Sequence, residues 1–362
     1  LIDVSAEPSG INIPAIITAS GSGEVNVLSL RQLAQRCTPL ILLFGVVACT
    51  SPEANQPIAI DGSSTVFPIT EAIAKAYKAT AKNPVEVTLN FSGTGGGFRE
   101  FCEGKTDISD ASRPISRTEM DLCNANKIRY IELPVAFDAL TVVVNPNNTW
   151  AASLTTEELK KIWQPAAEKT LTRWNQIRPE FPDQPLNLYS PGVDSGTFDY
   201  FTEAIVGKPG SSRMDMLKSE DDETLVQGVS QDPNALGYFG FAYYEQHTDS
   251  LKALPVDGGK GPITPSRETV ENNQYQPLAR PLFIYVNLTK AQENPGLKDF
   301  VDFYLKEAPT VIPKIGYIPL PQEAYDLGKI TFHKGEAGTV FGGKSVVDLT
   351  IPELLRQQAQ FE

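Results

Sequence analysis

The chain has 362 residues, which is long for one ordinary domain and points to two lobes. Hydrophobic residues make up 41% of it, as expected of a folded globular protein. The formal charge is -13 and no basic stripe interrupts it, which argues against nucleic acid as a partner.

Residues 1–28 show no clear hydrophobic period and read either as sequence upstream of the true start or as disordered chain. Arg31 and Arg36 then precede an apolar run over 39–48. That run is shorter than the roughly 20 residues that cross a bilayer, but it suits the core of an export signal over 29–48. Its end, Val46-Val47-Ala48-Cys49, resembles a bacterial lipobox, which makes Cys49 the expected lipidation site and the cell envelope the expected location. The alternative is a signal cut by the ordinary peptidase.

Pro57-Ile58-Ala59-Ile60 reads as a buried strand. It runs into Asp61-Gly62-Ser63-Ser64-Thr65-Val66-Phe67-Pro68 and then a helix carrying Ile69, Ile73, Ala76 and Tyr77 on one face. A helix start of this kind presents unpaired N–H groups and a partial positive charge, so it can hold an anion without a cationic side chain. Ser and Thr are also the favoured N-caps, so one such turn alone means little. The pattern recurs, however. A strand over 85–91 ends at Ser92-Gly93-Thr94-Gly95-Gly96-Gly97 before a second helix. A short strand over 106–111 ends at Ser112-Arg113-Pro114, and Ser116 with Glu119 predicts a capping box beyond it. Cys102 and Cys123 invite a disulfide in an exported chain, and closing that loop is worth about 3 kcal/mol.

A long strand is predicted near 133–145, followed by a capped helix over 155–163. The strand 186–190 leads to the fourth turn, Pro191-Gly192-Val193-Asp194-Ser195-Gly196-Thr197, and another helix. The acidic run Ser219 to Glu223 and the stretch Asn175 to Gln184 read as solvated loops. Gly237 to Phe241 reads as a strand and turn, Pro281 to Asn287 as a second long strand, and Leu297 to Leu305 as a helix. Alternating strands and helices imply mainly parallel sheets with sites at strand C-termini. The simplest division is a first lobe over 57–145 plus 281–345, a second lobe over 146–280, and a C-terminal tail over 346–362.

If the four turns converge, they make a cage of N–H and hydroxyl donors for a small oxyanion. Charge-assisted bonds contribute about 1.5–3 kcal/mol each, so four or five reach the roughly 8 kcal/mol of a micromolar site.

Gly62-Ser63-Ser64-Thr65, Ser92 to Gly97, Ala111-Ser112-Arg113-Pro114 and Asp194-Ser195-Gly196-Thr197-Phe198, in that order and spacing, resemble the phosphate-binding component of the bacterial high-affinity phosphate ABC transporter. The resemblance covers roughly 57–345. It implies an α/β, two-lobed periplasmic-binding-protein fold of type II character, with a two-strand hinge, that closes on one phosphate and serves an ABC permease as a monomer. The expected ligand set is Ser64, Thr65, Val66, Thr94, Gly95, Ser112, Arg113, Asp194, Ser195, Gly196 and Thr197, with no cofactor and no metal. Two departures stand out: Ser112-Arg113 replaces the Asp of the third turn in the best-described branch, and Pro191-Gly192 stands where that branch has an Arg. Arg113 is therefore the expected cationic contact, and Asp194 or Asp110 the expected acceptor of the phosphate proton.

A hydrolase reading finds little to rest on. Val193-Asp194-Ser195-Gly196 lacks the GxSxG elbow, His247 and His333 lie far from the turns in sequence, and Phe98-Arg99 stands where a P-loop needs Lys-Ser/Thr. A receptor for sulfate or molybdate, or a phosphate-starvation sensor or scavenger, is the alternative reading.

Overall fold

The computed structural model describes residues 56–344 and 346–360. The expected start near 28, the signal over 29–48 and Cys49 lie outside the described residues.

The chain alternates elements as its hydrophobic pattern predicts. The first strands are β1 (Ile58–Gly62), β2 (Val87–Leu89) and β3 (Ile108–Ala111). Between and after them run α1 (Phe67–Thr80), α2 (Thr94–Cys102) and α3 (Arg117–Ala125). β4 (Tyr130–Val144) is buried along its whole length. Next come β5 (Leu154–Thr155), α4 (Thr156–Trp163), β6 (Asn187–Pro191), α5 (Gly196–Phe201) and β7 (Leu217–Ser219). α6 (Asp222–Gln231), β8 (Ala235–Gly240), α7 (Phe241–Gln246) and β9 (Lys252–Ala253) follow. β10 (Val256–Asp257), β11 (Pro262–Ile263) and α8 (Arg267–Glu271) precede β12 (Ala279–Asn287). The chain continues through α9 (Leu288–Glu293), α10 (Pro295–Val311), β13 (Ile318–Pro319), α11 (Gln322–Lys334) and α12 (Ile351–Gln358).

The main sheet runs β2-β1-β3-β12-β4-β8-β6-β7. β1 is parallel to β2 and β3, and β6 is parallel to β7 and β8, whereas β4 and β12 run antiparallel to their neighbours. β4 belongs to both halves: residues 130–139 pair with β12, and 140–144 pair with β8. The two expected sheets are therefore one curled path through a shared strand. The second crossing lies beside the first, where the Leu140 amide donates to the Leu278 carbonyl at 2.7 Å. Parallel strands on each side point their C-terminal ends, and hence the hydroxyl-bearing turns, at this junction.

Local sequence explains the starts and stops. Ser116 and Glu119 form the capping box that opens α3, and Thr155 with Glu158 does the same for α4. Cys102 and Cys123 are bonded at 2.01 Å, tying α2 to α3. The tail expected over 346–362 holds α12, whose Leu354 is buried. An apolar face on so short a segment forms a helix because it has a core to cover.

Two buried carboxyls shape the pH response of the fold. Asp110 accepts from Thr70 at 3.0 Å, and burial pushes it up to about 8. Glu132 accepts from the Tyr285 hydroxyl at 2.5 Å and the Val340 amide at 3.2 Å, and burial pushes it up to about 7. A carboxyl whose folded value is raised contributes stability that is fully present below its unfolded value of about 4 and is lost as pH rises through the folded value. The melting temperature is therefore expected to fall as pH rises from about 4 to about 8. Asp110→Asn keeps the Thr70 bond and should flatten part of that slope. An unchanged slope in the variant would remove Asp110 from the account.

Candidate anion site

The four turns meet. The first corner is held from outside: Tyr243 donates to the Ser64 carbonyl at 3.0 Å and Tyr317 to the Thr65 carbonyl at 2.7 Å. Asp61 ties it to the second corner, accepting from the Gly62 amide at 2.7 Å, the Ser92 amide at 2.9 Å and the Ser92 hydroxyl at 3.0 Å. Gly62 has φ 147°, and a Cβ there would stand 2.1 Å from the Asp110 carbonyl oxygen, so only glycine turns the chain here.

Hydroxyls from different corners then come into hydrogen-bond range. Thr65 Oγ1 and Thr197 Oγ1 are 3.1 Å apart, as are Thr94 Oγ1 and Ser112 Oγ. The Ser112 amide donates to Thr94 Oγ1 at 3.2 Å. Ser195 caps α5, its Oγ accepting from the Thr197 amide at 3.1 Å. Gly196 packs against two corners at once: an added Cβ would lie 2.5 Å from Ser112 Oγ and 2.6 Å from Thr94 Oγ1. Ser64, Thr65, Thr94, Ser112, Ser195 and Thr197 are all buried.

Five of the expected residues make other contacts. The Arg113 guanidinium is engaged elsewhere: Nε donates to Asp199 at 2.8 Å, Nη1 and Nη2 donate to Glu119 at 2.8 Å each, and Nη1 also reaches the Pro114 carbonyl at 3.1 Å. Burial works against its charge, but Glu119 and Asp199 hold it ionised. Asp194 is half-exposed and bound to Arg99 through two bonds of 2.8 and 3.1 Å, which hold its carboxyl below the usual range. It faces a cation on the rim. The Gly95 amide donates to the Asp194 carbonyl at 2.8 Å, and the Val66 amide to the Ser63 carbonyl at 3.1 Å, so both close turns. Asp110, the other expected acceptor, holds Thr70.

The cation in the cluster is Arg280, at the start of β12. Its side chain and that of Asp138, directly across the ladder on β4, are each 1% exposed and 3.2 Å apart. Nη2 also donates to Thr197 Oγ1 at 2.6 Å. Nε and Nη1 have no partner among the described residues. Burial lowers the Arg280 pKa and raises that of Asp138, each opposed by the other's charge. Tyr200 donates to the Pro277 and Ala279 carbonyls at 3.1 and 2.8 Å, fixing the backbone that carries Arg280.

The second missed residue is Asp222. It sits in the run read as a solvated loop, yet it is 2% exposed because α6 starts there and turns it inward. Ser64 Oγ donates to it at 2.9 Å, and burial pushes its carboxyl up to about 7. Ser64 also lines a cleft of about 380 Å³ with Phe91, Asp221 and Tyr243, so the buried corner borders an opening to the surface. A larger cleft of about 470 Å³ runs along α1 and β2 and touches none of the hydroxyl corners. Among the described residues there is no cluster of His, Cys, Asp and Glu that could hold a metal.

The model of the PBP superfamily domain matches residues 48–308. The chain belongs to this superfamily, in the group that holds SphX and the PstS phosphate-binding proteins. It is 67% identical over 337 residues to Protein SphX of Synechocystis sp., covering 93% of this chain and 100% of that one. It is 37% identical over 266 residues to the phosphate-binding protein PstS of Staphylococcus saprophyticus, covering 73% and 81%. Among solved structures, a Clostridium perfringens protein, provisionally assigned as a phosphate ABC transporter substrate-binding protein and holding bound phosphate, matches with a TM-score of 0.61. Its identity is 26%, over 74% of this chain and 100% of that one. The two-lobed binding-protein fold that the resemblance implied is thus the fold of the family.

Proposed function

We propose that the chain binds inorganic phosphate between two lobes and delivers it to an ABC permease outside the cytoplasm, anchored through Cys49. The first lobe takes β1–β3, β12 and the first part of β4, and the second takes β6–β8 and the last part of β4. The observation that carries this reading is the buried Arg280, whose Nε and Nη1 lack partners among the described residues and stand beside a ring of hydroxyls. A buried guanidinium is stable only where its donors are matched, and its planar fork suits an oxyanion. Ser64, Thr65, Thr94, Ser112, Ser195 and Thr197 supply the remaining donors. Binding without chemical change is part of the reading, which is supported by the relatives' names as phosphate-binding proteins.

Asp222 takes the discriminating role that the sequence suggested for Asp194 or Asp110. Ionised, it accepts the proton of hydrogen phosphate and repels sulfate, which has none to offer near neutral pH. Protonated, it donates and tolerates either ion. Since its own value lies near 7, the preference for phosphate over sulfate should rise between pH 5.5 and pH 8.5. Calorimetric titration with both ions at those two pH values tests the reading. In Asp222→Asn the preference should fall at least about tenfold at pH 8.5, the equivalent of one hydrogen bond, and lose its pH dependence. No detectable phosphate binding by the unsubstituted protein would end the assignment. A variant with intact selectivity would end the role of Asp222.

A further inference from the structure

Arg113 was expected to touch the anion, and instead it joins the two lobes. It follows Ser112 in the third corner, on the first lobe, and Glu119 of α3 holds two of its nitrogens there. Its Nε reaches across to Asp199 on α5 of the second lobe, two residues beyond Thr197. The Arg113 side chain is 9% exposed and that of Asp199 21%, so the pair is screened only weakly. A second cross-lobe pair, Arg99 with Asp194, stands one residue before Ser195, with side chains 55% and 38% exposed. The fourth corner, Ser195-Gly196-Thr197, is thus flanked on both sides by ion pairs whose cations belong to the first lobe. Neither pair supplies a donor to the hydroxyl cluster.

We propose that Arg113–Asp199, reinforced by Arg99–Asp194, is a closure latch: the pairs form when the lobes shut and set how long the bound anion stays. The inference rests on the phosphate and two-lobe readings above. Arg113 and Asp199 are positioning residues, pressing the N-terminal end of α5 against Ser112. Glu119 keeps Arg113 charged and oriented when the lobes part, so the latch is ready to re-engage. Among the described residues Arg113 is the one ion-pair partner of Asp199, and burial raises the Asp199 pKa even with that cation beside it, so opening exchanges the pair for hydration. A cleft of about 390 Å³ between Ser116, Pro209 and Lys344 borders the pair and gives water access to it on opening.

The test compares the unsubstituted protein with Asp199→Asn and Arg99→Gln. Stopped-flow dissociation of phosphate should be about tenfold faster in Asp199→Asn, the loss of one well-placed charge partner. It should be about threefold faster in Arg99→Gln, whose pair is exposed and screened. Association should be unchanged, because the open form is untouched. The phosphate-to-sulfate ratio should also be unchanged. Asp199→Asn should lower the melting temperature more with phosphate than without it, since only the closed form loses a contact. Unchanged dissociation in both variants overturns the latch. So does an equal loss of melting temperature with and without phosphate, which marks a plain structural role, or a shift in ion selectivity, which marks a ligand contact. If the unsubstituted protein binds no phosphate, the ion assignment fails and small-angle scattering decides the latch alone: Asp199→Asn must be more open, and equal radii overturn it.

Discussion

Replacing Arg280 with methionine is expected to weaken phosphate binding by about 10²- to 10⁴-fold, because two charge-assisted bonds of about 1.5–3 kcal/mol each disappear. The bonds in question are those of Nε and Nη1, the buried donors that no described residue satisfies. Methionine fills much of the same volume, but it strands Asp138, which is 2% exposed and has Arg280 as its cation. An unpaired buried charge destabilises by about 3–5 kcal/mol, so Asp138 will protonate or the fold will loosen. The double variant Arg280→Met with Asp138→Asn removes that complication and should recover melting temperature without recovering affinity. Arg280→Lys keeps the charge but not the fork, and should fall between the two. Calorimetry with parallel thermal melts separates the effects. Binding within threefold of the unsubstituted protein in Arg280→Met would mean that the anion is held by hydroxyls and amides alone.

The four hydroxyl corners were legible because strand-to-helix turns are written locally: small residues, hydroxyls and a following apolar period sit within ten positions of one another. The capping box at Ser116 and Glu119 was legible for the same reason. Arg280 and Asp138 were not, since each is a lone charge inside an apolar strand and their pairing depends on the register of two strands separated by more than a hundred residues. The signal was nonetheless present. An Arg in Leu278-Ala279-Arg280-Pro281-Leu282 and an Asp in Phe137-Asp138-Ala139-Leu140 each demand a buried partner of opposite charge, and each offers the other. Asp222 was hidden differently. Composition made Glu220-Asp221-Asp222-Glu223 look solvated, but Asp221 caps α6 and the first helical residue then points inward. The contacts of Arg113 were not legible, because a cation beside an anion-binding turn fits either a ligand or a strut. Only the positions of Glu119 and Asp199 decide between them.

Gly196 offers the second large effect, and one that separates closure from folding. It is the first residue of α5, where alanine is favoured over glycine by no more than the roughly 1 kcal/mol of a helix interior, so Gly196→Ala should leave the open protein as stable as before or slightly more so. In the closed arrangement the new methyl would stand 2.5 Å from Ser112 Oγ, 2.6 Å from Thr94 Oγ1 and 3.1 Å from Thr94 Cβ. Ser112 and Thr94 are fully buried and bonded to each other, so neither can swing aside without breaking the cluster it belongs to. Overpacking of this kind costs about 1–3 kcal/mol before any lost donor is counted, and the second and third corners lose their contact with the fourth as well. Phosphate affinity is expected to fall at least about 100-fold, with the melting temperature of the phosphate-free protein unchanged or raised. Small-angle scattering should find the variant open at phosphate concentrations that close the unsubstituted protein. If Gly196→Ala binds phosphate normally, the corners do not approach as closely in the bound state as they do here, and the anion sits among fewer of them. If it fails to fold, the cluster is needed by the fold itself and not only by closure.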